Sequence, residues 1–537
     1  MKMNKNRLLQ SALATAVTMA SMQASAIPFS PTDARAMAMG GTGVSSAEVA
    51  STVQFNPALL ANTREDDHFG LKLPQVGVQF ADDGGFIDEV EDFDEESVNA
   101  SPGSGLTNVD LLDQTLTDAT GPLGLEKLGN ALDAIAAAST PAAVLAAQTD
   151  LTDSVNYLDG KLFTTNTALT PDLVLHSNSV ADDIDDLNGK ALRLNVGANV
   201  ALAVPSKKFS MALSAGGGAV FSGRVIVNSE DTDILRNYSA ATAAYLAEVA
   251  VLQQLMTTLS GSQTPTNAQN VQDQEAVVSS FSYGGQAGEG DTPIFANGEL
   301  VANDAELNSQ VQMVGVGTAD LGLTASRVFN IKGHDIAFGL TPKLQKVTIF
   351  DYTQDLDGKD ENGNDVEFDS DAVTDSTEEY TSFNLDIGAA YQFGSENQFQ
   401  AGVVIKNLLP KEYESAPYVA SNGAEGTLVE MNPMIRAGIS HKTSWTKVAF
   451  DLDITENDPV AFEDATQYAA LGAELNVFRF VQLRAGYRAN LAASGQDIMT
   501  AGIGLSPFAI HLDIGVMANT SDPENEAGVA FEFGVEF

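Results

Sequence analysis

The chain has 537 residues, a formal net charge of −45 and no cysteine. So large an excess of acidic residues argues against nucleic acid as a partner, because phosphate groups would be repelled. The absence of cysteine excludes disulfides, thiol catalysis and cysteine-based metal sites. The length corresponds to three or four soluble domains or to one large barrel, and a hydrophobic content of 44% is too high for a disordered acidic chain.

The N-terminus has the pattern of a secretory signal peptide. A positive segment precedes an apolar run over residues 8–22, and Ala24-Ser25-Ala26 is a small-residue cleavage site. The positive residues are Lys2, Lys5 and Arg7. We therefore expect residues 1–26 to be removed, the alternative being an uncleaved amphipathic helix. No later run has the roughly 18 apolar residues of a membrane helix, so the exported protein is either soluble or a β-barrel.

The next segment, residues 27–66, fits neither a strand nor a long helix. Its central part, Ala34 to Asn62, begins rich in glycine and small residues and then has mixed helical character. Because this segment precedes a long series of predicted strands, we expect it to form a plug inside a barrel that comprises residues 67–537.

Two long insertions interrupt the predicted barrel, at about residues 81–187 and 229–310. In the first, residues 82–96 are strongly acidic and predict a solvated loop, residues 108–163 have a helical pattern, and residues 180–186 are acidic again. In the second, residues 238–259 are predicted to be helical, and the remainder is polar and glycine-rich.

Outside the insertions, apolar and polar residues alternate with a period of two, which is typical of strands with one apolar face. The pattern predicts an all-β fold, a transmembrane antiparallel β-barrel of about 14 strands with an N-terminal luminal hatch and helical insertions in outer loops. An even number of strands is usual for bacterial outer-membrane barrels. The predicted strands are 67–80, 191–202, 209–228, 311–329, 335–352, 381–393, 398–408, 429–441, 445–455, 467–477, 480–490, 496–505, 508–519 and 526–537.

The connections between these strands alternate between short and long, as do the periplasmic turns and outer loops of outer-membrane barrels. The last strand is amphipathic and ends at Phe537, which resembles the signal read by the barrel assembly machinery. These features predict an outer-membrane protein of a Gram-negative bacterium, in contact with membrane lipid and lipopolysaccharide. A soluble sheet whose edge strand ends the chain is the alternative.

Charged residues fall on the face of the strands opposite the apolar one, so we expect them to line the lumen. Among them, Arg436, Arg484 and Arg488 have two interpretations. They brace the wall and the plug through ion pairs, or they hold the carboxylate of a ligand by bidentate hydrogen bonds.

The acidic segment that contains Asp355, Asp357, Asp360 and Asp365 alternates oxygen ligands with glycines, which weakly resembles a calcium loop. Its spacing is not that of an EF-hand, and a plain acidic loop is the alternative. No other cofactor is expected. None of the five histidines lies in an H-E-x-x-H motif, and the glycine-rich segment lacks the lysine of a phosphate loop, so we do not expect an enzyme.

Two short motifs near the predicted mature N-terminus resemble the FadL-like family of outer-membrane transporters for hydrophobic compounds. They are Met39-Gly40-Gly41-Thr42-Gly43-Val44 and Phe55-Asn56-Pro57-Ala58. The small-residue opening at 34–40 and the very long first outer loop are closer to the branch named TraF-type conjugal transfer proteins. The helical insertions depart from the compact transporter pattern.

The resemblance implies a fourteen-stranded barrel with a luminal hatch and passive uptake of a hydrophobic small molecule, such as a long-chain fatty acid. Asn56, Pro57 and Ala58 would then shape the hatch, and Gly40, Gly41 and Gly43 would give it freedom to move. A hatch that only closes and stabilises the barrel is equally compatible with these residues. A non-transporting scaffold for conjugal transfer or secretion machinery is the alternative function.

Overall fold

The computed structural model describes fifteen ranges of the chain. These ranges are 32–62, 68–82, 84–93, 95, 97–100, 103–120, 122–162, 172–206, 208–285, 293–301, 308–355, 376–415, 427–459, 461–478 and 480–536. The predicted signal peptide, the assembly signal at Phe537 and the central acidic residues Asp357, Asp360 and Asp365 lie outside these ranges.

Fourteen antiparallel strands form one closed barrel, in which each strand pairs with its neighbours in sequence and the last pairs with the first. The predicted fold class is therefore confirmed. The strands are β1 (Gly70–Asp82), β2 (Ala191–Val204), β3 (Ser210–Ile226), β4 (Gln310–Ile331), β5 (His334–Asp355), β6 (Thr377–Phe393), β7 (Phe399–Lys406), β8 (Met434–Lys442), β9 (Thr446–Asp453), β10 (Tyr468–Val477), β11 (Val481–Asn490), β12 (Ile498–Leu505), β13 (Ile510–Asn519) and β14 (Glu526–Glu536).

The two faces of the barrel wall differ in polarity because alternate side chains point to opposite sides of a strand. Large apolar side chains remain exposed on the outer face of every strand, as Leu202, Leu340 and Phe531 illustrate. Charged side chains such as Asp386, Arg436 and Glu532 are buried on the inner face. An apolar outer belt around a closed barrel is the surface that a lipid bilayer requires.

The two ends of the barrel differ in the length of their connections. Turns of a few residues join β2 to β3, β4 to β5 and every second pair of strands thereafter, and we call this the short-turn end. Exposed aromatic residues, including Trp445, Phe478 and Phe508, lie in or beside these turns. The opposite end carries both helical insertions, and we call it the long-loop end.

Six helices lie in the described parts of the first insertion, more than the sequence pattern predicts. They are α3 (Phe86–Asp92), α4 (Asn108–Thr120), α5 (Leu125–Ala136), α6 (Pro141–Ala146), α7 (Gln148–Leu162) and α8 (Asp172–Asp186). The segment 82–96, predicted to be a solvated loop, is helical over residues 86–92, although none of those seven residues is buried. There, the Asp82 carboxylate accepts hydrogen bonds from the backbone N–H groups of Phe86 and Ile87, both at 2.7 Å, and so satisfies two free donors at the start of α3.

The second insertion contains α9 (Ser229–Gly261) and α10 (Pro265–Ser279), followed by a small sheet of residues 283–285, 293–296 and 299–300. Helix α10 was not predicted, although Thr264 caps it and Pro265 occupies its first position. Buried side chains of both insertions, among them Leu151 and Leu252, share one hydrophobic core. The two insertions therefore form a single helical domain. No helix in the described ranges is long and apolar enough to cross a membrane.

Candidate functional site: the luminal plug and the mouth of the barrel

Residues 32–62, which we call the plug, lie inside the barrel towards the short-turn end. The plug consists of α1 (Ala34–Met37), a 3-10 turn at Val49–Ser51, α2 (Thr52–Phe55) and a second 3-10 segment at Pro57–Asn62. Asp33 caps α1 by accepting a hydrogen bond of 2.7 Å from the backbone N–H of Ala36. Nearly every plug residue is buried, although the segment has little regular structure of its own. Its conformation is therefore fixed by contacts with the wall.

Glycines on the inner face of the wall allow the plug backbone to approach closely. Gly486 lies against Met39 and Gly40, Gly402 lies against the carbonyl of Val44, and a Cβ atom at either glycine would overlap the plug. We call the wall glycines with this property the glycine belt. Its members are Gly70, Gly197, Gly339, Gly388, Gly402, Gly472, Gly486, Gly502 and Gly515. These glycines lie on strands on all sides of the lumen, so the inner surface of the wall is complementary in shape to the plug.

Asn56 connects two parts of the plug to each other and to the wall. Its side-chain amide donates to the backbone carbonyl groups of Val44, at 3.0 Å, and Ala389, at 3.2 Å. Its side-chain oxygen accepts a 3.0 Å hydrogen bond from the backbone N–H of Ala58. Asn56 is fully buried, and its described polar contacts use both ends of the amide. Removing them would leave buried backbone groups without partners, which is costly.

The glycine-rich front of the plug is held by a wall carboxylate. One oxygen of Asp451 accepts backbone hydrogen bonds from Gly43, at 2.7 Å, and Val44, at 2.9 Å. Gly40 and Gly41 adopt positive φ angles of 71° and 87°, which glycine adopts without strain. The backbone N–H of Gly40 also donates to Thr500 on the wall at 2.9 Å. Gly40 and Gly43 therefore direct backbone donors at wall oxygens, whereas the N–H of Gly41 donates to the carbonyl of Ala36 within the plug.

A buried charge network joins the plug to one side of the wall. Arg35 of the plug lies 2.9 Å from Glu474 on β10, and Glu474 also pairs with Arg484 on β11 at 2.8 Å. Arg484 in turn contacts Asp513 on β13. All four side chains are largely buried. The network crosses from the plug through three wall strands, so loss of one member leaves uncompensated charge.

Two further ion contacts hold other parts of the plug. Glu48 lies 2.7 Å from Lys442 and 2.6 Å from Lys447, both on the wall near the short-turn end. On another side of the lumen, Asp33 accepts a 2.9 Å hydrogen bond from Gln75 of β1. The same Gln75 amide donates to Glu532 at 2.8 Å.

The three arginines singled out in the sequence all line the lumen, and each has a carboxylate partner. Arg436 makes two contacts with Asp453, at 2.5 and 2.9 Å. Arg488 lies 3.2 Å from Glu526 and its guanidinium stacks 4.4 Å from the ring centre of Tyr468. Arg484 belongs to the network with Glu474. These ion pairs agree with the bracing interpretation, and the binding of a ligand carboxylate stays a prediction.

A second feature lies above the plug, at the long-loop end. Residues 411–414 and 428–431 form a two-stranded hairpin, which we call the mouth hairpin. Its apolar side chains pack on inward-facing residues of β4 and β5, a group that we call the apolar patch. The cluster comprises Tyr413, Val429 and Met431 of the hairpin with Val316, Val347 and Ile349 of the wall.

Polar contacts fix the mouth hairpin on the wall. The hydroxyl groups of Tyr413 and Ser382 are 2.8 Å apart, and the rings of Tyr413 and Tyr380 have centroids 5.2 Å apart. The Tyr380 hydroxyl also donates to the carbonyl of Glu414 at 2.6 Å. The prediction of a continuous strand over 429–441 is therefore wrong at its start, because Pro433 lacks the N–H that a strand ladder needs and β8 begins at Met434.

The loop between β9 and β10 also reaches over the mouth. The guanidinium carbon of Arg224, on β3, lies 4.1 Å from the ring centre of Phe462 in that loop. Strand β3 is distant in the barrel order from β9 and β10, the strands that this loop connects. The plug and the mouth elements therefore occupy opposite ends of the lumen.

The weak calcium candidate has one member in the described ranges. Asp355 ends β5, and its carboxylate accepts a 2.7 Å hydrogen bond from Gln310. Among the residues that the structure describes, no group of three or more acidic, histidine or cysteine residues is arranged to hold a metal ion.

The closed wall, the apolar outer belt and the filled lumen together define a plugged transmembrane β-barrel. The chain belongs to the family described as "F plasmid transfer operon, TraF, protein", whose profile matches residues 53–453. The predicted TraF-type branch is therefore confirmed. No curated protein matches the chain.

Among solved structures, the chain is similar to the Pseudomonas putida toluene transporter TodX, with 10% identity, coverage of 96% of this chain and 99% of that one, and a TM-score of 0.35. It is also similar to a Pseudomonas aeruginosa FadL homologue, with 11% identity, coverage of 94% and 97%, and a TM-score of 0.38. The CymD monoaromatic hydrocarbon channel has 9% identity, coverage of 94% and 96%, and a TM-score of 0.37. At these values the similarities are distant.

Proposed function

We propose that the protein is an outer-membrane channel of a Gram-negative bacterium that admits a hydrophobic small molecule, with the plug as a hatch at the periplasmic end. The observation that carries the proposal is the apolar patch, an apolar region of the inner wall above a polar, charge-paired lumen. Val347 and Ile349 are fully buried there beneath the mouth hairpin. Displacement of the hairpin would expose these side chains to a ligand arriving from outside.

The way in which the plug is held supports a gate. Hydrogen bonds and ion pairs attach it to several strands, and each such contact can be exchanged for water when the plug shifts. Gly40, Gly41 and Gly43 supply backbone freedom at its front, and Asn56, Pro57 and Ala58 supply a fixed turn at its rear. The mouth hairpin would control entry to the lumen, and the plug would control exit.

Binding of a fluorescent long-chain fatty acid to the detergent-purified protein tests this function. We expect saturable binding to the unmodified protein. Val347→Thr should weaken it by about tenfold, because the added hydroxyl would be buried without an assured partner. Val403→Thr is the matched control, since Val403 is exposed on the outer, lipid-facing side of β7. Absence of binding, or equal effects of both substitutions, would overturn the proposal.

The helical domain favours a second function, a scaffold at the cell surface. It has its own hydrophobic core, and the small sheet adds aromatic packing, with the rings of Tyr245 and Phe295 stacked at 5.0 Å. A channel does not require a separately packed domain of this kind. Membership of a family described by a plasmid transfer operon supports a role in conjugal transfer.

The barrel offers a direct test of the scaffold function. Asp82 pairs with Leu192 and Ile226 pairs with Gln310, so a short turn can replace each insertion without altering the wall. A variant that lacks both insertions should lose co-purifying proteins and mating efficiency while it retains fatty-acid binding. Unchanged mating would refute the scaffold function. Loss of fatty-acid binding with normal mating would place the ligand site in the helical domain.

A further inference from the structure

Gln345, on the inner face of β5, has a side-chain amide that is satisfied at neither end. The residue is fully buried, and neither its Nε2 nor its Oε1 has a hydrogen-bond partner among the residues that the structure describes. Leaving a buried amide unpaired costs free energy, and proteins break such local rules mainly at functional sites. The surroundings of Gln345 indicate which chemical group would complete its hydrogen bonds.

Gln345 marks the point where the apolar patch becomes polar. Val347 and Ile349 occupy the next two inward positions on β5, at steps of about 7 Å towards the long-loop end. Across the sheet, Gln345 pairs with Ser382 of β6 and with Asp320 of β4. The Oδ1 atom of Asp320 is also buried and has no partner in the described ranges. The apolar surface therefore ends at one unpaired donor and two unpaired acceptors.

The mouth hairpin shows what kind of group fits this site. The ring of Tyr413 packs in the apolar patch, and the residue is 4% exposed. Its hydroxyl lies 2.8 Å from the hydroxyl of Ser382, the cross-strand neighbour of Gln345. The hairpin thus holds an apolar body with one hydroxyl group against the patch, which is the chemistry of a phenol. It leaves the amide of Gln345 unsatisfied.

We propose that the apolar patch with Ser382 and Gln345 is the entry site for a neutral apolar molecule that carries a hydroxyl group, such as an alkylphenol. This inference rests on the proposed channel function and names its class of ligand. The ligand takes the place of Tyr413 when the hairpin moves away. Its hydroxyl oxygen accepts a hydrogen bond from Nε2 of Gln345, and its hydrogen is donated to Oε1 of Gln345 or to Asp320.

Other ligand classes fit these polar atoms less well. A hydrocarbon of the same shape would leave the amide unpaired. An ionised carboxylate has acceptors only, and it would meet the unpaired oxygen of Asp320. Lys343 occupies the inward position on the other side of Gln345, but its ammonium already lies 3.2 Å from an oxygen of Asp320 and 3.2 Å from one of Asp386. The site therefore distinguishes a hydroxyl group from both alternatives.

Isothermal titration calorimetry with three ligands of matched shape tests the proposal on the detergent-purified protein. The ligands are 4-butylphenol, butylbenzene and 4-butylbenzoate, and each is compared between protein variants in one detergent, so that partition into micelles cancels. Gln345→Leu removes the amide at similar volume, and it should leave a folded barrel because that amide has no described partner. Gln482→Leu is the matched control, since Gln482 is a buried glutamine on β11 that donates to Ser506 at 2.7 Å, at the short-turn end.

We expect 4-butylphenol to bind the unmodified protein, and Gln345→Leu to weaken that binding about tenfold. Gln345→Leu should not weaken the binding of butylbenzene or 4-butylbenzoate, and Gln482→Leu should change the affinity for none of the three. The proposal is overturned if 4-butylphenol does not bind, or if Gln345→Leu weakens it no more than butylbenzene. Fatty-acid binding that persists with either result would leave the channel function standing, whereas absence of binding by every ligand, the fatty acid included, would refute both.

Discussion

Asn56 of the plug lies against Gly388 of the wall, and its side-chain oxygen occupies the space that a Cβ atom at position 388 would need. The neighbouring contact is between the Asn56 amide and the carbonyl of Ala389, at 3.2 Å. An alanine at 388 is acceptable to the β-strand itself, but it would overlap the plug. The addition of one methyl group at position 388 should therefore displace the plug from this part of the wall.

The first prediction concerns that methyl group. Gly388→Ala should leave a folded, heat-modifiable barrel but displace the rear of the plug, because Asn56 must leave its position. Single-channel recording in planar bilayers should then show open events that the unmodified protein lacks. Gly223→Ala is the control, since a Cβ atom there would meet Met313 at an ordinary 3.6 Å. Identical records for both variants would show that the plug tolerates the overlap.

The second prediction concerns the buried pair of Arg35 and Glu474. Arg35→Met should destabilise the protein by about 3 kcal/mol, because it leaves part of the Glu474 charge without its partner. Glu474→Gln should cost more, since Glu474 also pairs with Arg484. Denaturant unfolding in detergent measures both. Lys346→Gln, at the exposed pair with Glu379, should cost less than about 1 kcal/mol. If Lys346→Gln and Arg35→Met lowered the free energy of unfolding equally, burial would not explain the strength of the Arg35–Glu474 pair.

The strands were predictable because apolar and polar residues alternate along a barrel strand, with the apolar side chains on the outer face and the polar side chains in the lumen. Residues 191–202 were predicted as a strand, and the structure has Ala191–Val204. The plug was predictable as a segment that fits no strand. The glycine belt was not predicted, although Gly486 and Gly388 are visible in the sequence. Their partners, Gly40 and Asn56, are hundreds of residues away, and proximity at that separation arises only when the barrel closes.

The errors have local physical causes. Alternation is the same in a barrel strand and in a hairpin, so residues 428–431 could not be distinguished from β8 without weighing Pro433. The helix at Phe86–Asp92 is capped by the Asp82 carboxylate. The acidic composition of the segment predicts that Asp82 is solvated, but it does not predict this capping contact. The contacts of Arg436 and Arg488 depend on which carboxylates face them across the strands, and composition does not give that register.

The third prediction is a pH dependence of the helical domain. His176 of α8 is buried, its Nδ1 lies 3.1 Å from the Thr115 hydroxyl, and its Nε2 has no partner in the described ranges. Burial lowers the pKa of His176 below its ordinary value of 6.5. The folded domain therefore binds fewer protons than the unfolded chain near that pH, so this contribution to stability is present above about pH 6.5 and is lost as the pH falls below it.

Urea unfolding followed by the helical circular dichroism signal measures this effect. Between about pH 7.5 and about pH 5.5 the midpoint for the helical domain should fall, and His176→Gln should reduce that fall. Burial raises the pKa of Asp183 from 3.8, which stabilises the folded domain at low pH and loses effect as the pH rises. Asp183 therefore changes the stability with pH in the opposite direction to His176. It would reduce the observed fall in the midpoint and could not produce that fall. If the midpoint falls by the same amount in His176→Gln, the pH dependence of the stability arises from groups other than His176.

The fourth prediction concerns the mouth hairpin. Tyr413→Ala should remove the ring that packs on Tyr380 and the hydroxyl that contacts Ser382, and so should free the hairpin from the apolar patch. We expect faster association of an apolar fluorescent probe with the detergent-purified protein and faster protease cleavage near residue 413. Tyr413→Phe is the matched control, because it retains the ring and loses only the hydroxyl contact. If both variants bind the probe at the rate of the unmodified protein, the hairpin does not limit access to the patch, and entry must be controlled by other loops at the mouth, such as the one that carries Phe462.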